Sequence, residues 1–366
     1  SRTNQVNSQF DIVADVKGKI VQLPAGALSF VLGYEHRREG FQFNPGTFKA
    51  GQIQADGTCT PYGNSVCETA VSGAYHTHEA FGELDAPLIS PQMHVAGVYN
   101  LALHSAGRYV YNSMTGGFWT WTAGAAYSPT RDITFRGNYT RSLRAPSVTE
   151  LFAPQASVYD DGADPCDYGS INGGSHPAIR AANCAKAGVP KGFVSRSSSS
   201  SVLGTSGGNP HLQNEAANSF TGGVLIRPRP VSGLMIQADY VDILIKHEIA
   251  DLGISDVMDA CYDSASYPSN SWCNQFTRDP NTHEITNFTE GYYNIASEHF
   301  RGLQASLRYD MPLTKVGFSP DAGEVGVSLN YLHQFYHAYQ VGSGSLQNEL
   351  GGSGSPKDNF TANFNY

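Results

Sequence analysis

The six cysteines are the first residues whose type and spacing suggest chemistry. They fall as three local pairs, Cys59 and Cys67, Cys166 and Cys184, and Cys261 and Cys273. None of the spacings is the C-x-x-C of a zinc or redox motif. Each pair lies within one stretch of chain, which favours three local disulfides, Cys59–Cys67, Cys166–Cys184 and Cys261–Cys273, and an oxidising compartment. His76 and His78 stand two apart, on one face of an extended segment. They could form a metal pair, but two outward histidines on a rim are the simpler reading. His333 and His337 have the spacing of zinc ligands on a helix, yet on a strand they lie about 13 Å apart. Asp160, Asp161, Asp164 and Asp167 gather around Cys166. Their oxygens would suit calcium, but the EF-hand spacing is absent, and a solvated acidic loop is expected. Residues 249–284 carry Asp251, Asp256, Asp259, Asp263, Asp279 and Glu284 against Arg278 alone, together with Tyr262, Tyr267 and Trp272. Such a loop suits a sugar, a peptide or a cation as ligand. It equally suits a loop packed on itself. No G-x-S-x-G, H-E-x-x-H or phosphate-loop motif occurs, so no catalytic residue, metal site or cofactor is expected.

The elements that must carry these residues are strands. Trp119, Trp121, Ala123, Ala125 and Tyr127 alternate with Thr120, Thr122 and Gly124. Ile133, Phe135, Gly137 and Tyr139 alternate with Thr134, Arg136 and Asn138. Leu303, Ala305, Leu307 and Tyr309 alternate with Gln304, Ser306 and Arg308. This is period two, with no helical period competing. Eleven strands are expected, at 6–22, 27–43, 75–90, 93–112, 117–128, 132–145, 214–229, 233–248, 285–311, 324–340 and 358–366. Many exceed the usual five or six residues.

The 366 residues carry a net charge of −9, with only 15% charged and 11% aromatic side chains. Weak basicity excludes a phosphate-gripping nucleic-acid binder. The apolar content excludes disorder, and no apolar stretch reaches the roughly 18 residues of a spanning helix. The connections alternate between short, Pro-rich turns (23–26, 90–92, 129–131, 229–232) and long loops (44–74, 146–213, 249–284). Apolar outward faces, polar inward faces and polarised loop lengths define a transmembrane antiparallel β-barrel, with short periplasmic turns and long extracellular loops. The cysteine pairs all fall in the long loops. The first strand runs into a periplasmic turn, so a preceding strand is expected, and residue 1 is Ser. The chain reads as a fragment.

One segment makes the assignment specific. Arg141-Ser-Leu-Arg-Ala-Pro-Ser-Val-Thr-Glu-Leu-Phe152 resembles a motif of TonB-dependent outer-membrane receptors. Gly208-Asn-Pro-His-Leu-Gln-Asn-Glu215 with Ser219–Gly223, and Glu79–Leu88, resemble two further motifs of that family in the same order. Ala106–Tyr109 and Trp121–Pro129 agree as well. The resemblance implies a barrel of about 22 strands with an N-terminal plug, driven by the TonB complex. Residues 1–366 would form a partial β-barrel domain without the plug, about half the strands of the whole. Arg141, Arg144, Pro146 and Glu150 would clamp the root of the 146–213 loop, where Pro146 ends strand pairing.

The expected function is uptake of a scarce nutrient (a glycan, a peptide or a metal chelate) without bond making or breaking. A passive porin is the first alternative, and a secreted all-β carbohydrate-binding protein or enzyme the second. Tyr262, Tyr267 and Trp272 in the loops, with Arg136, Glu35 and Arg37 facing the lumen, are the candidate ligand contacts. The partners implied are outer-membrane lipid including lipopolysaccharide, the TonB complex through an N-terminal region outside the chain, and the nutrient. The acidic 249–284 loop favours a neutral glycan or peptide over an anionic ferric chelate.

Overall fold

A computed structural model describes residues 2–55, 59–62, 67–342, 346–352 and 354–366. Eleven long strands form one wall: β1 (Asn4–Leu23), β2 (Gly26–Asn44), β3 (Val71–Ile89), β4 (Asn100–Asn112), β5 (Gly116–Ser128), β6 (Ile133–Arg144), β7 (Glu215–Ile226), β8 (Leu234–Leu252), β9 (Ile285–Pro312), β10 (Glu324–Val341) and β11 (Asp358–Asn365). Each pairs antiparallel with the next. The wall is a partial barrel that does not close. Every strand expected from the alternation is present. One starts later than expected: β4 begins at Asn100, because Pro91–Met93 turns as a short 3-10 helix and His94 and Gly97 take left-handed conformations at φ 51° and 75°.

The alternation sorts side chains by face. Along β5 the exposed residues are Gly117, Trp119, Trp121, Ala123, Ala125 and Tyr127, and the intervening ones are half-buried. Trp119 is 62% exposed, Phe135 48% and Tyr139 41%. An outer surface this apolar has no counterpart in a water-soluble sandwich. Aromatic pairs mark its two edges: Tyr109 with Trp119 and Trp121 with Tyr139 towards one end, Tyr127 with Phe135 towards the other. Small residues such as Ala123 lie between them. Along β5, Trp119 and Tyr127 stand about 26 Å apart at a strand rise of roughly 3.3 Å per residue. Allowing for tilt, that spacing suits the ~25 Å apolar band of a membrane barrel.

The long loops fold on the extracellular side. Among the described residues four α-helices form there, α1 (Gly46–Ala50), α2 (Val148–Phe152), α3 (Pro177–Lys186) and α4 (Ile254–Tyr262). Helix α4 begins directly after Gly253. Short loop strands also extend the sheet: Val202–Gly207 pairs antiparallel with Ala156–Asp160 and parallel with the start of β9. Phe276–Arg278 pairs with β9 as well. Near the top of β8, His247 takes a left-handed conformation at φ 55°, and the register slips there. Beyond the slip Ile249 packs against a cluster of Phe41, Phe43, Tyr75, Val148, Leu151 and Leu212. This cluster seats α2 on the inner side of β2 and β3.

A charge on the lipid-facing side therefore costs what a charge on the lumen side does not. Ala123→Arg is expected to destabilise the membrane-folded protein by about 2–4 kcal/mol. Gln304→Arg, on the inward face opposite Asp239, is expected to be near neutral. Urea unfolding in lipid vesicles, followed by tryptophan fluorescence, checks both.

Candidate functional site

The inward wall is polar because its charges pair with one another. Glu35 on β2 accepts from Arg37 on the same strand and from Arg108 on β4, and Arg108 also donates to Glu79 on β3. Arg37 reaches on to Asp11 of β1. The guanidinium of Arg108 stacks over Phe81 at 4.5 Å. Further round, Arg136 grips Asp239 in bidentate fashion at 2.9 and 2.7 Å, and Gln237 donates to the same carboxylate. Glu35, Arg37 and Arg136 thus sit on the inward face, each engaged in an ion pair. The Asp11–Arg37–Glu35–Arg108–Glu79 network sets three carboxylates against two guanidiniums, and the Arg136–Asp239 pair is balanced.

The loop root is organised by Arg144 at the end of β6. Its guanidinium donates to Glu215 at 2.6 Å through two nitrogens and to Glu150 at 3.0 and 3.1 Å. Glu150 also closes a capping box with Ser147, accepting from its backbone N–H at 2.7 Å. Glu215 accepts from the Ile249 backbone N–H at 2.7 Å. One arginine thereby ties β6, α2, β7 and the top of β8. Pro146 is fully buried directly before α2. Arg141 is not part of this clamp. It has the opposite parity to Arg144, lies on the outward face with Phe135 and Tyr139, and makes no ion pair among the described residues. Burial alone would raise the Glu150 carboxyl, but Arg144 and Ser147 together outweigh it and hold the group below the ordinary carboxylate range.

Above the clamp, the loops form a packed layer. The three disulfides are Cys59–Cys67, Cys166–Cys184 and Cys261–Cys273. The last two share one apolar cluster with Tyr262 and Val189, so the 146–213 and 249–284 loops have a common core. Two buried ion pairs join the same loops. Arg180 of α3 binds Asp263 in bidentate fashion and also Asp259. Arg278 binds Asp164 at 2.8 Å through two nitrogens, and Asp164 is fully buried. The acidic run around Cys166 is thus not simply a solvated loop. Asp164 holds Arg278 and the Cys166 backbone N–H, and Asp167 accepts from Gly169 and Ser195. The Ser-rich run 195–201 is anchored too, for Ser195 and Ser197 are buried and bonded to Glu284 and Gly162.

The aromatic candidates divide. Tyr262 is 2% exposed, stacks on Tyr267 at 5.3 Å and accepts from Arg278 Nε at 3.0 Å. Burial pushes its hydroxyl up to about 12 against the pull of Arg278. Tyr262 and Tyr267 line a cavity of about 310 Å³ with Phe276, Arg278, Asp279 and His283. Tyr262 belongs to the loop core, whereas half-buried Tyr267 carries Lys186 over its ring at 5.7 Å. Trp272 lies outside that lining and packs edge-on against Tyr293 at 4.8 Å. His333 and His337 turn to separate carboxylates, Asp358 and Glu298. Among the described residues, no group of three His, Cys, Asp or Glu side chains could hold a metal ion.

One cluster has no trace in the sequence pattern. Residues 285–290 of β9 pair only with loop strands, above the membrane band. There Glu290 meets Asp160 and Asp251. Burial first, then these two carboxylates, push Glu290 up to about 7. Asp160 and Glu290 are 130 residues apart in the numbering, and no periodic pattern in the sequence connects them.

An outward apolar band, an inward paired-charge face and a disulfide-stapled loop layer on one side define the wall of an outer-membrane β-barrel. The family model described as TonB dependent receptor-like, beta-barrel, matches residues 1–366, and the chain belongs to that family, whose members are outer-membrane proteins. Solved structures agree in fold. The siderophore receptor PirA from Acinetobacter baumannii is similar at 13% identity and TM-score 0.53, covering 99% of this chain and 48% of that one. A variant of the ferric enterobactin receptor PfeA from Pseudomonas aeruginosa, with enterobactin bound, is similar at 14% identity and TM-score 0.53, covering 90% of this chain and 36% of that one. The chain therefore spans less than half the length of these receptors. No curated protein sequence matches it.

The two ends of the loop layer should respond differently. Asp164→Asn leaves Arg278 buried without its counter-charge, at a cost of about 3–5 kcal/mol, and is expected to expose the 146–213 loop to protease. Replacing both partners with apolar residues should restore resistance. At the root, the depressed Glu150 carboxyl contributes stability above its unfolded pKa and loses it as pH falls through the lower folded value. Hydrogen exchange of α2 is expected to stay slow at neutral pH and to rise in acid, with Glu150→Gln abolishing that dependence.

Proposed function

We propose that this chain is the barrel portion of a TonB-dependent transporter that captures a scarce nutrient from outside the cell. The plug and the segment that contacts the TonB complex lie outside residues 1–366. The observation that carries the reading is the cross-linked loop layer set above an inward wall of paired charge, within a chain matched to the receptor family along its length. Loops welded by buried ion pairs and disulfides present a preorganised capture surface, which lowers the ordering cost of binding. A passive pore has no use for such a surface.

The favoured ligand class is a neutral glycan or a peptide. The acidity of the 249–284 loop carries less weight, since Arg180 offsets part of the charge of Asp259 and Asp263. A different feature supports the same lean. The carboxylates of Asp160, Asp251 and Glu290 gather above the band with a destabilised charge, and an anionic chelate placed beside them would raise that cost further. Tyr267, with its partly open ring, supplies a surface on which a sugar or side chain can stack.

The test uses the full-length receptor in cells, with an oligosaccharide mixture, a peptide mixture and ferric enterobactin as separate probes. Uptake of an oligosaccharide or peptide is expected, abolished when TonB is deleted and reduced about tenfold by Tyr267→Ala, a loss equivalent to about 1.4 kcal/mol. Uptake of ferric enterobactin alone would overturn the ligand class. Uptake indifferent to TonB, with osmotic swelling of liposomes carrying the protein, would make it a passive porin.

A further inference from the structure

The chain between β10 and β11 is fastened to the inner wall by hydrogen bonds that the capture of a nutrient does not require. Gln334 pairs with Gly302 of β9 and His337 with Phe300, both of the same parity as inward Gln304. Residues 354–357 fold over these two side chains. The Gln334 backbone N–H donates to Lys357 O at 2.8 Å, and its side-chain Nε2 donates to Pro356 O at 2.9 Å. Gln334 is 6% and Ser355 8% exposed, so the contact is buried.

The hydrogens in this contact can be counted. With Gln334 Nε2 on Pro356 O, Gln334 Oε1 can only accept, and its donor is the Ser355 hydroxyl at 3.2 Å. A hydroxyl has one hydrogen. Ser355 Oγ must therefore accept from His337 Nδ1, 2.7 Å away. On its other side His337 Nε2 lies 2.5 Å from Glu298 Oε1, and an ionised carboxylate only accepts. Both ring nitrogens carry hydrogen, so the ring is an imidazolium. The residue types match a Ser–His–Glu nucleophile set, but the ring has no lone pair with which to take the hydroxyl proton.

The charges around the ring favour that form. Glu298 faces it from β9, and Phe300 meets it edge-on at 5.9 Å. Glu248, at the register slip near the top of β8, adds a second carboxylate. It makes no ion pair among the described residues, and its Oε2 is buried without a hydrogen-bond partner. Burial first, then Glu298 and Glu215, push the Glu248 carboxyl up against the pull of Arg144. Tyr339, two residues along β10, sees the same two carboxylates and supplies no cation. Arg144 is committed to Glu150 and Glu215. Glu349 and Lys357 approach through the backbone, Glu349 N–H donating to His337 O at 2.9 Å. His337 is thus the cation that opposes Glu298. His104, His299 and His333 each meet a carboxylate through one nitrogen, which a neutral ring can still do.

We propose that His337 is a pH-operated latch: its imidazolium pins residues 354–357 to the inner wall, and loss of one ring proton releases them. A neutral ring cannot keep both contacts and leave Gln334 satisfied. If Nε2–H stays on Glu298, Nδ1 takes the Ser355 hydroxyl hydrogen, and buried Gln334 Oε1 loses its donor. If Nδ1–H stays on Ser355, a bare Nε2 faces the Glu298 carboxylate. Either way a buried polar group goes unpaired, and Glu298 and Glu248 lose their cation. The latch holds at low pH and opens as pH rises.

The test uses the full-length receptor in lipid vesicles. Nitrogen NMR of histidine-labelled protein reads the His337 ring, assigned by its loss in His337→Gln. At about pH 5.5, on the acid side of the ordinary imidazole range, both ring nitrogens are expected to carry hydrogen. Hydrogen exchange of residues 346–352 and 354–357, expressed as protection relative to an unstructured peptide at the same pH, reads the latch. Protection is expected to fall about tenfold between that pH and about pH 8.5, the scale of one buried hydrogen bond left unmade. His337→Gln, neutral at every pH, should show the low protection throughout. His337→Arg, with a fixed charge and several donors, should keep the high protection throughout. Heat-dependent gel mobility establishes that each variant is folded. A bare ring nitrogen at the acid pH, or equal wild-type protection at the two pH values, would overturn the proposal. So would a pH dependence that survives in His337→Gln.

Discussion

Backbone hydrogen bonding in hydrocarbon governs everything else in this molecule. A peptide group inside a bilayer has no water to turn to, so each must bond to protein. A helix would satisfy that demand within one segment, but no helix among the described residues is long and apolar enough to cross a membrane. The strands satisfy it between neighbours, and each strand of the wall bonds to the one that follows it in sequence. Period-two side-chain sorting is then unavoidable. Apolar groups reach lipid, polar groups reach the lumen, and the polar groups must pair where they are partly buried. The Asp11–Arg37–Glu35–Arg108–Glu79 chain and the Arg136–Asp239 pair are the result.

The loops solve a different problem. They have too few apolar residues for one large core and instead use several small ones, joined by charges and disulfides. Arg144 is the hinge between the two regimes. It stands at the last inward position of β6, and its two carboxylates belong to α2 and β7, so the wall's register positions the loop layer. Arg180 and Arg278 repeat the device higher up, each crossing from one loop to the other. Buried pairs of this kind contribute little net stability compared with apolar packing, but they punish wrong pairing severely. Their value here is specificity of arrangement more than stability.

The wall was legible in the sequence because its physics is local. Trp119 to Tyr127 shows its faces within nine residues, and the same holds for Ile133 to Tyr139. The late start of β4 was not legible, since the left-handed turn at His94 leaves no mark in an apolar–polar pattern. The loop layer was legible only where chemistry was local, as with the cysteine pairs. Asp164 and Arg278 are 114 positions apart and Arg180 and Asp263 are 83 apart, and nothing periodic connects them. Tyr262 illustrates the consequence. Its type suggests a ligand contact, while its partners, known only from the fold, make it a core residue beneath Tyr267. Arg141 shows the converse: its motif position suggested the clamp, and strand parity alone places it on the other face.

The central claim is that these strands form a wall with lipid on one side and an aqueous lumen on the other. Spin labels placed singly at each position from 119 to 127 of the full-length protein, in outer-membrane lipid vesicles, test it most directly. Collision with oxygen reports lipid, and collision with a water-soluble nickel chelate reports the lumen. The account predicts strict alternation, with high oxygen access at 119, 121, 123, 125 and 127 and high nickel access between them. Uniform nickel access along the whole segment, or a 3.6-residue period, would contradict it.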